Sequence, residues 1–473
     1  MKFWHITGLS ALLLSGVGWA AGWLPWSGRG ESAATTALLA ADRDATPDQA
    51  VPLIVHEWGT FTSFSGSDGV KLEFRPLEER DLPGFVFNRS RHSLPSLSKN
   101  SIPAIQRMET PVTYFYTPVE RDVTVRVSFP QGLLTEFYPP VRSLGPKVEG
   151  NGFLFSPVVE TTSPPLKDSW LDWGRVHLIP PESLQAKVED AELSRRIGRH
   201  VEQTMLPDAG TYQHYAAARA TDSAIVQVRH LPQTGPDANV VPTADYFEKF
   251  LFYRGLGNFE LPLTLTANPD ASCTLRNSGR DEIRSLFLVT VRGKELRFRQ
   301  YPSIAAGATL DLQPSNQTAT LDQLSDAVAS ALVAEGLYEK EARAMVSTWQ
   351  TSWFGEEGTR LFYILPQSVT DTLLPLEITP KPTEQVRVLV GRMEIMTPTQ
   401  EQEVLSLVQR SLTARGDVAK GVPSPLLPEL LKLGRLGEPA LVRARHLSTT
   451  DAVKHEAQRL MAELREERTK AVQ

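Results

Sequence analysis

Cysteine is nearly absent from this chain, since Cys273 is the single one among 473 residues. A disulfide within the chain is therefore excluded, and a zinc site built on cysteine is not expected. Cys273 lies in a strand-like run at 272–276, so we expect it to be a small buried hydrophobic side chain. The overall composition, 41% hydrophobic and 22% charged, is nevertheless that of a globular protein.

Recognisable catalytic motifs are also missing. The nine histidines show no His-Glu-x-x-His or His-x-His spacing, and no calcium-binding acidic loop occurs, so we expect no metal and no cofactor. Neither a Gly-x-Ser-x-Gly elbow nor a Gly-x-x-x-x-Gly-Lys loop is present, which argues against α/β-hydrolase and nucleotide chemistry. The net charge of −6 and the scattered basic residues argue against nucleic acid as a partner and against a polybasic membrane patch.

The N-terminal segment indicates export. Lys2 is followed by a hydrophobic run at 6–17, and the small residues Gly18 and Ala20 suit signal-peptidase cleavage. With the apolar residues that follow, the run is nearly long enough to span a bilayer, so residues 1–24 are a signal peptide or a signal anchor. Residues 25–50 have no periodicity and are interpreted as a flexible tether. Either alternative places the rest of the chain across the inner membrane, in the periplasm, the envelope or the medium, with membrane contact only through an uncleaved N-terminus.

Residues 51–230 have the pattern of a first antiparallel β domain. Regular alternation of apolar and polar residues predicts a strand at 121–129, followed by a hairpin turn at 131–132 and a strand at 133–138. Further strands are predicted at 53–64, 113–117, 170–179, 212–219 and 223–229, with a helix at 191–206. Short strands without regular βα alternation are typical of a sandwich.

A second sandwich-like domain is predicted at 246–398, after a pattern-free boundary at 231–245. Thr320 and Gln323 form a capping box, which predicts a helical hairpin inserted at 320–354. The expected fold class is thus mainly β with α additions, consisting of two antiparallel β-sandwich-like domains, an αα-hairpin insert and a C-terminal helical tail.

The helical tail is predicted at 399–473. Its last part, from about 430, resembles a single repeat of the HEAT type. Because one repeat cannot bury a core by itself, we expect the tail to dock on the second domain or on a partner.

His56 and Glu57 form the most suggestive polar pair and are both candidate catalytic residues. Successive side chains of a strand point to opposite faces, so a regular strand would keep the two apart. A bulge at Gly59 could re-aim the end of the strand. The structural interpretation is that Glu57 pairs with a buried arginine, for instance Arg254 or Arg360, and that His56 is a hydrogen-bonded core residue.

Several acids lie beside aromatic strands: Glu57, Glu109, Glu136 and Glu248. Two carboxylates facing each other across a cleft could hydrolyse a glycosidic bond. Arg254 and Arg360 are candidate binding residues, because an arginine can hold a substrate carboxylate or phosphate in a bidentate grip. The alternative is a buried Glu–Arg network that joins two sheets.

Exposed aromatic residues on a sheet could bind carbohydrate. Trp170, Trp173 and Tyr215 are the candidates. Packing in the hydrophobic core explains the same residues equally well.

Five sequence blocks resemble a group of large exported bacterial proteins with no assigned activity. The blocks are 56–62 (HEWGTFT), 108–112 (METPV), 250–255 (FLFYRG), 373–376 (LLPL) and 390–394 (VGRME). The resemblance covers most of the chain beyond the signal segment. It implies a bacterial envelope location and carries no implication for catalysis.

These observations lead to two hypotheses. The first is an exported envelope protein with a binding or scaffolding role, whose partner is an envelope protein or a polysaccharide. The second is a carboxylate-dependent hydrolase of envelope polysaccharide that uses Glu57 with Glu109 or Glu136. The hydrolase requires two of these carboxyl groups to lie roughly 5 to 10 Å apart in an open cleft.

Overall fold

Strand pairing is centred on β1 (Ile54–Ser65), which coincides with the strand predicted at 53–64. The computed structural model describes residues 51–75, 82–89, 102–146, 166–183, 213–230, 244–414 and 424–472. The predicted signal segment, the tether and the helix at 191–206 lie outside these residues. Within them, no helix has both the length and the apolar character needed to cross a membrane.

The described residues contain nineteen strands and several helices. After β1 the strands are β2 (Lys71–Leu72), β3 (Phe87–Asn88), β4 (Gln106–Tyr116), β5 (Arg121–Phe129), β6 (Gly132–Tyr138), β7 (Ser143–Gly145), β8 (Ser169–Ile179), β9 (Ile225–His230), β10 (Ala244–Glu248), β11 (Leu251–Gly257), β12 (Leu263–Ala267), β13 (Cys273–Asn277), β14 (Ile283–Arg292), β15 (Glu295–Ile304), β16 (Thr309–Leu312), β17 (Gly358–Leu365), β18 (Leu376–Thr379) and β19 (Glu384–Ile395). The helices include α1 (Gln213–Ala217), α2 (Leu321–Ala334), α3 (Glu339–Gln350), α4 (Gln367–Leu373), α5 (Pro398–Ala414), α6 (Leu427–Leu431), α7 (Gly437–Leu447) and α8 (Asp451–Val472). The prediction of a mainly β fold with α additions is confirmed.

Ten strands form one large sheet, in the order β15-β14-β17-β19-β1-β4-β11-β6-β3 with β2 beside β1. β1 and β19 run parallel along their whole length, and the other neighbours that the structure describes are antiparallel. Strands from before and after the expected boundary at 231–245 are neighbours in this sheet, as β4 and β6 are with β11. The two halves of the chain therefore share one sheet, which differs from the expected pair of separate sandwiches, and Val51–Gln473 form one compact unit.

Two smaller sheets cover one side of the large sheet. Their strand orders are β10-β9-β8-β5-β18, with β7 beside β8, and β12-β13-β16. Val55 of the large sheet, Trp173 of β8 and Leu265 of β12 belong to the same hydrophobic cluster, and we call this side the sandwich face. Cys273 belongs to the same cluster, as expected, and burial raises the pKa of its thiol to about 12.

The opposite side, the helix face, packs against α1, α2, α3 and a π turn at Thr351–Gly355. Trp58 and Val388 of the sheet share a cluster with Leu332 of α2 and Met345 of α3. The predicted capping box is present, since the Thr320 hydroxyl accepts a hydrogen bond from the Gln323 N–H. In the second helix of the hairpin, regular α-helix ends at Gln350 and the π turn follows.

Two local predictions are wrong. The turn at 131–132 does not join a hairpin, because β5 pairs with β8 and β18 whereas β6 pairs with β11 and β3. The turn instead carries the chain from one sheet to the other, and the Phe129 ring lies against Gly132, where a Cβ would have no room. The strand predicted at 212–219 is replaced by α1, whose alanine-rich sequence favours a helix and which contacts α3.

The C-terminal helices dock on their own chain. Phe64 of β1, Leu72 of β2 and Met396 after β19 share a hydrophobic cluster with Leu441 of α7 and Leu460 of α8. The tail was expected to dock on the second predicted domain or on a partner. Its docking surface instead comes from both predicted domains, with β1 and β2 of the first contributing alongside Met396 of the second. This contact supplies the buried surface that a single helical repeat lacks.

Candidate functional site

β1 directs His56 and Glu57 to opposite faces of the large sheet, as predicted. His56 lies level with Tyr114 of β4, and Glu57 lies level with Thr113 and Arg387. The two side chains are both fully buried. They therefore occupy two separate environments and cannot act together at one site.

On the sandwich face, Glu57 forms an ion pair with Arg387, with 2.6 Å between Nη2 and Oε2. The carboxylate also accepts hydrogen bonds from the Tyr253 hydroxyl at 2.5 Å and the Thr113 hydroxyl at 3.0 Å. The expected buried arginine partner is present, but it is Arg387 rather than Arg254 or Arg360, the two examples named from the sequence. Burial lowers the pKa of Arg387, but the neighbouring Glu57 outweighs that effect, so the pKa is raised.

On the helix face, His56 contacts the start of α3. Its Nδ1 lies 2.7 Å from Oε2 of Glu341, and this carboxylate also accepts hydrogen bonds from the Tyr338 backbone N–H at Oε2 and from the Tyr116 hydroxyl at Oε1. The Tyr338 ring covers the imidazole, with 4.4 Å between ring centroids. His56 thus behaves as the hydrogen-bonded core residue of the structural interpretation, and it anchors the N-terminus of α3 through Glu341.

Beyond Trp58, the helix face carries charged side chains that we call the polar belt. Its members are Arg360 of β17, Arg392 and Glu394 of β19, Arg107 and Glu109 of β4, Arg254 of β11 and Glu136 of β6, with Arg435 and Glu356 lying over them. None of the seven sheet residues is more than 7% exposed. The belt crosses the middle of the large sheet and brings together four residues singled out in the sequence: Glu109, Glu136, Arg254 and Arg360.

The strand register places these residues on one face. Arg360 lies level with Glu394, and Arg392 lies level with Thr62, which in turn lies level with Arg107. Residues level with each other on neighbouring strands share a face of the sheet. The same argument applies to Arg254 and Glu136, because Phe252 and Tyr138, two positions further along the same strands, are paired and belong to the helix-face cluster.

Glu394 is held between two arginines. Arg360 Nε lies 3.1 Å from its Oε2, and Arg392 Nε lies 2.7 Å from its Oε1. Burial raises the pKa of Glu394, but these two guanidinium groups together with that of Arg435 outweigh it, so the pKa is lowered.

Glu109 is the second buried acid of the belt. Its Oε1 lies 3.0 Å from Arg107 Nε, and its Oε2 accepts a hydrogen bond of 2.9 Å from the Thr62 hydroxyl. Burial raises the pKa of Glu109, but Arg107, Arg435 and Arg392 outweigh it and lower the pKa to about 2. The carboxylate therefore stays ionised at neutral pH.

Arg360 connects the belt to the helical hairpin. It donates hydrogen bonds to the backbone carbonyls of Trp353, Glu356 and Glu357, at 2.7, 2.8 and 3.1 Å. These carbonyls follow the last turn of α3, where unpaired backbone oxygens favour a cation. The arginine thus ties the sheet to the end of the hairpin.

Arg435 connects the belt to the C-terminal helices. It lies in a 3-10 turn at Gly434–Leu436, and its Nε is 3.0 Å from Glu356 Oε2, which also lies 3.1 Å from Arg392 Nη2. The side chains of Arg435 and Glu356 are 21% and 37% exposed, so they form the solvent-facing rim of the belt.

Arg254 and Glu136 form the far end of the belt, with 3.2 Å between Nη2 and Oε1. The Thr135 hydroxyl donates a further hydrogen bond to Glu136. Arg254 therefore has a carboxylate partner of its own within the sheet.

A series of β-bulges runs through the belt. Register shifts occur between Trp58 and Thr60 against β4, between Phe252 and Gly255 against β4, and between Arg254 and Gly255 against β6. The bulge considered at Gly59 is present, and Pro111 packs so closely there that a Cβ would be crowded. Bulges re-aim side chains and are frequent next to functional sites.

The two candidate tryptophans have different surroundings. Trp173 is 2% exposed and its Nε1 donates a hydrogen bond to the Pro139 carbonyl, so it is a core residue. Trp170 is half-buried on the outer face of the six-stranded sheet, and the Arg126 guanidinium lies 4.3 Å from its ring centroid. Only Trp170 of this pair offers an accessible aromatic surface.

The geometry does not support the hydrolase hypothesis. Glu57 lies on the sandwich face, whereas Glu109 and Glu136 lie on the helix face, and each acid is closed off by an arginine. Glu248 is likewise paired with Arg219. A glycosidase needs an acid and a base that both reach the substrate, and none of these carboxylates is more than 5% exposed.

Sequence reasoning did not select several members of these networks: Arg107, Glu341, Glu356, Arg387, Arg392, Glu394 and Arg435. A signal for Arg392 and Glu394 existed, because both lie in the block at 390–394. The blocks at 56–62, 108–112, 250–255 and 390–394 in fact occupy β1, β4, β11 and β19, all of which lie in the large sheet. Among the described residues, no group of His, Cys, Asp and Glu side chains has the arrangement of a metal site.

Comparison with known proteins gives no family. No protein-family model matches the chain, and no curated protein is significantly similar to it. One solved structure, of the yeast delta-COP-I mu-homology domain complexed with a Dsl1 WxWxV peptide, aligns with 6% identity and a TM-score of 0.24. The alignment covers 73% of this chain and 98% of that one.

Proposed function

We propose that this protein is exported to the bacterial cell envelope and has a binding or scaffolding role there. The observation that carries the proposal is the closure of every candidate catalytic acid by an arginine inside a layered core. Such residues stabilise a rigid framework and are not placed to turn over a substrate. Export is supported by the signal-like segment at 1–24.

The accessible ring of Trp170 is the feature that favours a binding role. Its half-buried ring lies among charged side chains on the outer face of the six-stranded sheet, beside Arg126. Exposed aromatic rings can stack on sugar rings, and charged neighbours can hydrogen-bond to hydroxyl groups. A polysaccharide of the envelope is therefore the partner class that we favour.

Cell fractionation tests the location. The full chain, tagged at its C-terminus and produced in a bacterial host, should be recovered with the periplasm or the envelope. N-terminal sequencing then distinguishes the alternatives, since a start after about residue 20 indicates a cleaved signal and a start at Met1 indicates an anchor. Recovery in the cytoplasm would contradict export.

A binding assay tests the role. Purified protein is incubated with purified peptidoglycan, and both co-sedimentation and the release of reducing ends are measured. We expect co-sedimentation without release, weakened by Trp170→Ala but not by Lys340→Ala, a surface change elsewhere. Release of reducing ends would restore the hydrolase hypothesis.

A further inference from the structure

A small cavity lies where three segments of the chain meet: the residues before β12, the turn between β13 and β14, and the start of α4. Its volume is about 200 Å³. Pockets for drug-sized ligands hold about 300–1,000 Å³, and one water takes up about 30 Å³. The cavity therefore suits a ligand about as large as a single amino acid.

The turn between β13 and β14 is held in place by Asn277. This side chain is fully buried, and its Nδ2 donates hydrogen bonds to the backbone carbonyls of Asp281 and Ile304, at 2.9 and 3.3 Å. Its Oδ1 accepts a hydrogen bond of 2.9 Å from the Gly279 N–H. Arg280 lies between these two bonded positions, so the backbone that carries it is fixed.

Two further hydrogen bonds join the walls of the cavity. The Ser278 N–H donates to the Pro262 carbonyl at 2.8 Å, which ties the turn to the segment before β12. The Ser368 hydroxyl of α4 donates to Asp281 Oδ2 at 3.1 Å, which ties the turn to the helix. A ligand therefore meets a cavity that is already formed, and binding requires little ordering of the chain.

The inner lining of the cavity is apolar. Ile283 is fully buried, and Pro262, Pro366 and Val369 are half-buried around it. Sites for small ligands commonly combine such a lining with a few polar groups that fix the orientation of the ligand. This lining suits an aliphatic side chain.

Arg280 and Glu260 are the charged groups that a ligand can reach. Both line the cavity and are exposed, and neither has a hydrogen bond or ion pair among the residues that the structure describes. Burial lowers the pKa of Lys71 to about 8, and the charge of Glu260 opposes that shift. Asp281, the third charged residue of the lining, already accepts the hydrogen bond from Ser368.

The two available charges have opposite signs. An arginine can hold a carboxylate through two parallel hydrogen bonds, and a glutamate can accept hydrogen bonds from an ammonium group. An ion of one sign would be attracted by one of the two side chains and repelled by the other. A ligand that carries both a carboxylate and an ammonium group satisfies both.

We propose that this cavity binds a free α-amino acid with an aliphatic side chain. Arg280 pairs with its carboxylate, Glu260 pairs with its ammonium group, and its side chain lies on the apolar lining around Ile283. The inference goes beyond the proposed binding of polysaccharide, because it gives the protein a second, small ligand at a site that does not include Trp170.

Calorimetric titration of the full chain with L-leucine and D-leucine tests the inference. Two analogues separate the charges, since 4-methylpentanoate lacks the ammonium group and isopentylamine lacks the carboxylate. We expect leucine to bind, and each analogue to bind about tenfold more weakly, as for the loss of one hydrogen bond to a charged group. If neither form of leucine bound, or if the analogues bound as well as leucine, the inference would be wrong.

Arg280→Gln and Arg276→Gln form a matched pair of variants. Arg276, on β13, is also exposed and has no ion pair within the described part of the chain, but it does not line the cavity. Arg280→Gln should weaken the binding of leucine about tenfold and leave that of isopentylamine unchanged, because variant and analogue remove the same contact. Arg276→Gln should leave both unchanged.

Glu260→Gln makes the same comparison for the ammonium group. It should weaken the binding of leucine but not that of 4-methylpentanoate. Because the substituted side chains are exposed, the Tm of each variant should match that of the wild type. If Arg280→Gln weakened leucine and isopentylamine equally, or acted no differently from Arg276→Gln, the proposed carboxylate contact would be refuted.

The outcome is independent of the polysaccharide proposal. Trp170→Ala should leave the binding of leucine intact, and Arg280→Gln should leave co-sedimentation with peptidoglycan intact. Each proposal can therefore fail without the other.

Discussion

The two faces of the large sheet differ in how their buried charged side chains are paired. The sandwich face contains the Glu57–Arg387 pair within a hydrophobic cluster, and the helix face contains the polar belt. Glu57 depends mainly on one arginine, whereas Glu109 and Glu394 are each influenced by three. We therefore expect the loss of folding stability on substitution to depend on the number of charged partners as well as on burial.

The largest effect is expected from Glu57→Ala. It leaves Arg387 buried and without its main partner, which should lower the free energy of unfolding by about 3–5 kcal/mol. Urea unfolding of wild type and variant measures the difference. The double variant Glu57→Leu with Arg387→Met removes both charges and should recover much of the loss. If Glu57→Ala lowered stability no more than a belt substitution did, the contrast between the faces would fail.

The second-largest effect is expected from acid, which should lower folding stability by protonating Glu109 in the polar belt. The folded-state pKa of Glu109 is about 2, below the ordinary 4.5, so its contribution is fully present above pH 4.5 and is lost as the pH falls towards 2. The shift corresponds to about 3 kcal/mol. The urea midpoint measured from pH 6 to pH 2 should fall, and Glu109→Gln should flatten that fall. Parallel pH curves for the two proteins would show that Glu109 is not the group responsible.

His56→Phe tests the helix face outside the belt. The ring is retained, but Glu341 loses one of its three donors while Tyr116 and the Tyr338 N–H remain. We expect the free energy of unfolding to fall by about 1–3 kcal/mol, the range for removing one partner of a buried group. Hydrogen exchange at the first turn of α3 should rise more than exchange at β19. Equal changes at both places would indicate general rather than local destabilisation.

The smallest effect is expected from Lys340→Ala. Lys340 pairs with Asp222 at the surface, and both side chains are more than half exposed. Exposed ion pairs contribute little because water screens them. The urea midpoint should stay within experimental error of wild type, and a clear shift would show that surface pairs matter as much as the buried networks.

The sequence by itself determined the elements and the direction of their side chains. Alternation located β5, residue composition located β1, the Thr320 capping box located the helical hairpin, and a two-residue period separated His56 from Glu57. It also selected four members of the polar belt as candidate site residues.

Only the tertiary structure decided which strands became neighbours. Glu57 and Arg387 are 330 residues apart, and no local pattern specifies such a pairing. The same limit explains the turn between β5 and β6, which suits a hairpin locally but joins two sheets, and the union of the two predicted domains in one sheet. Local sequence sets the conformation of each segment, whereas long-range pairing depends on the burial of whole faces, which is a property of the assembled chain.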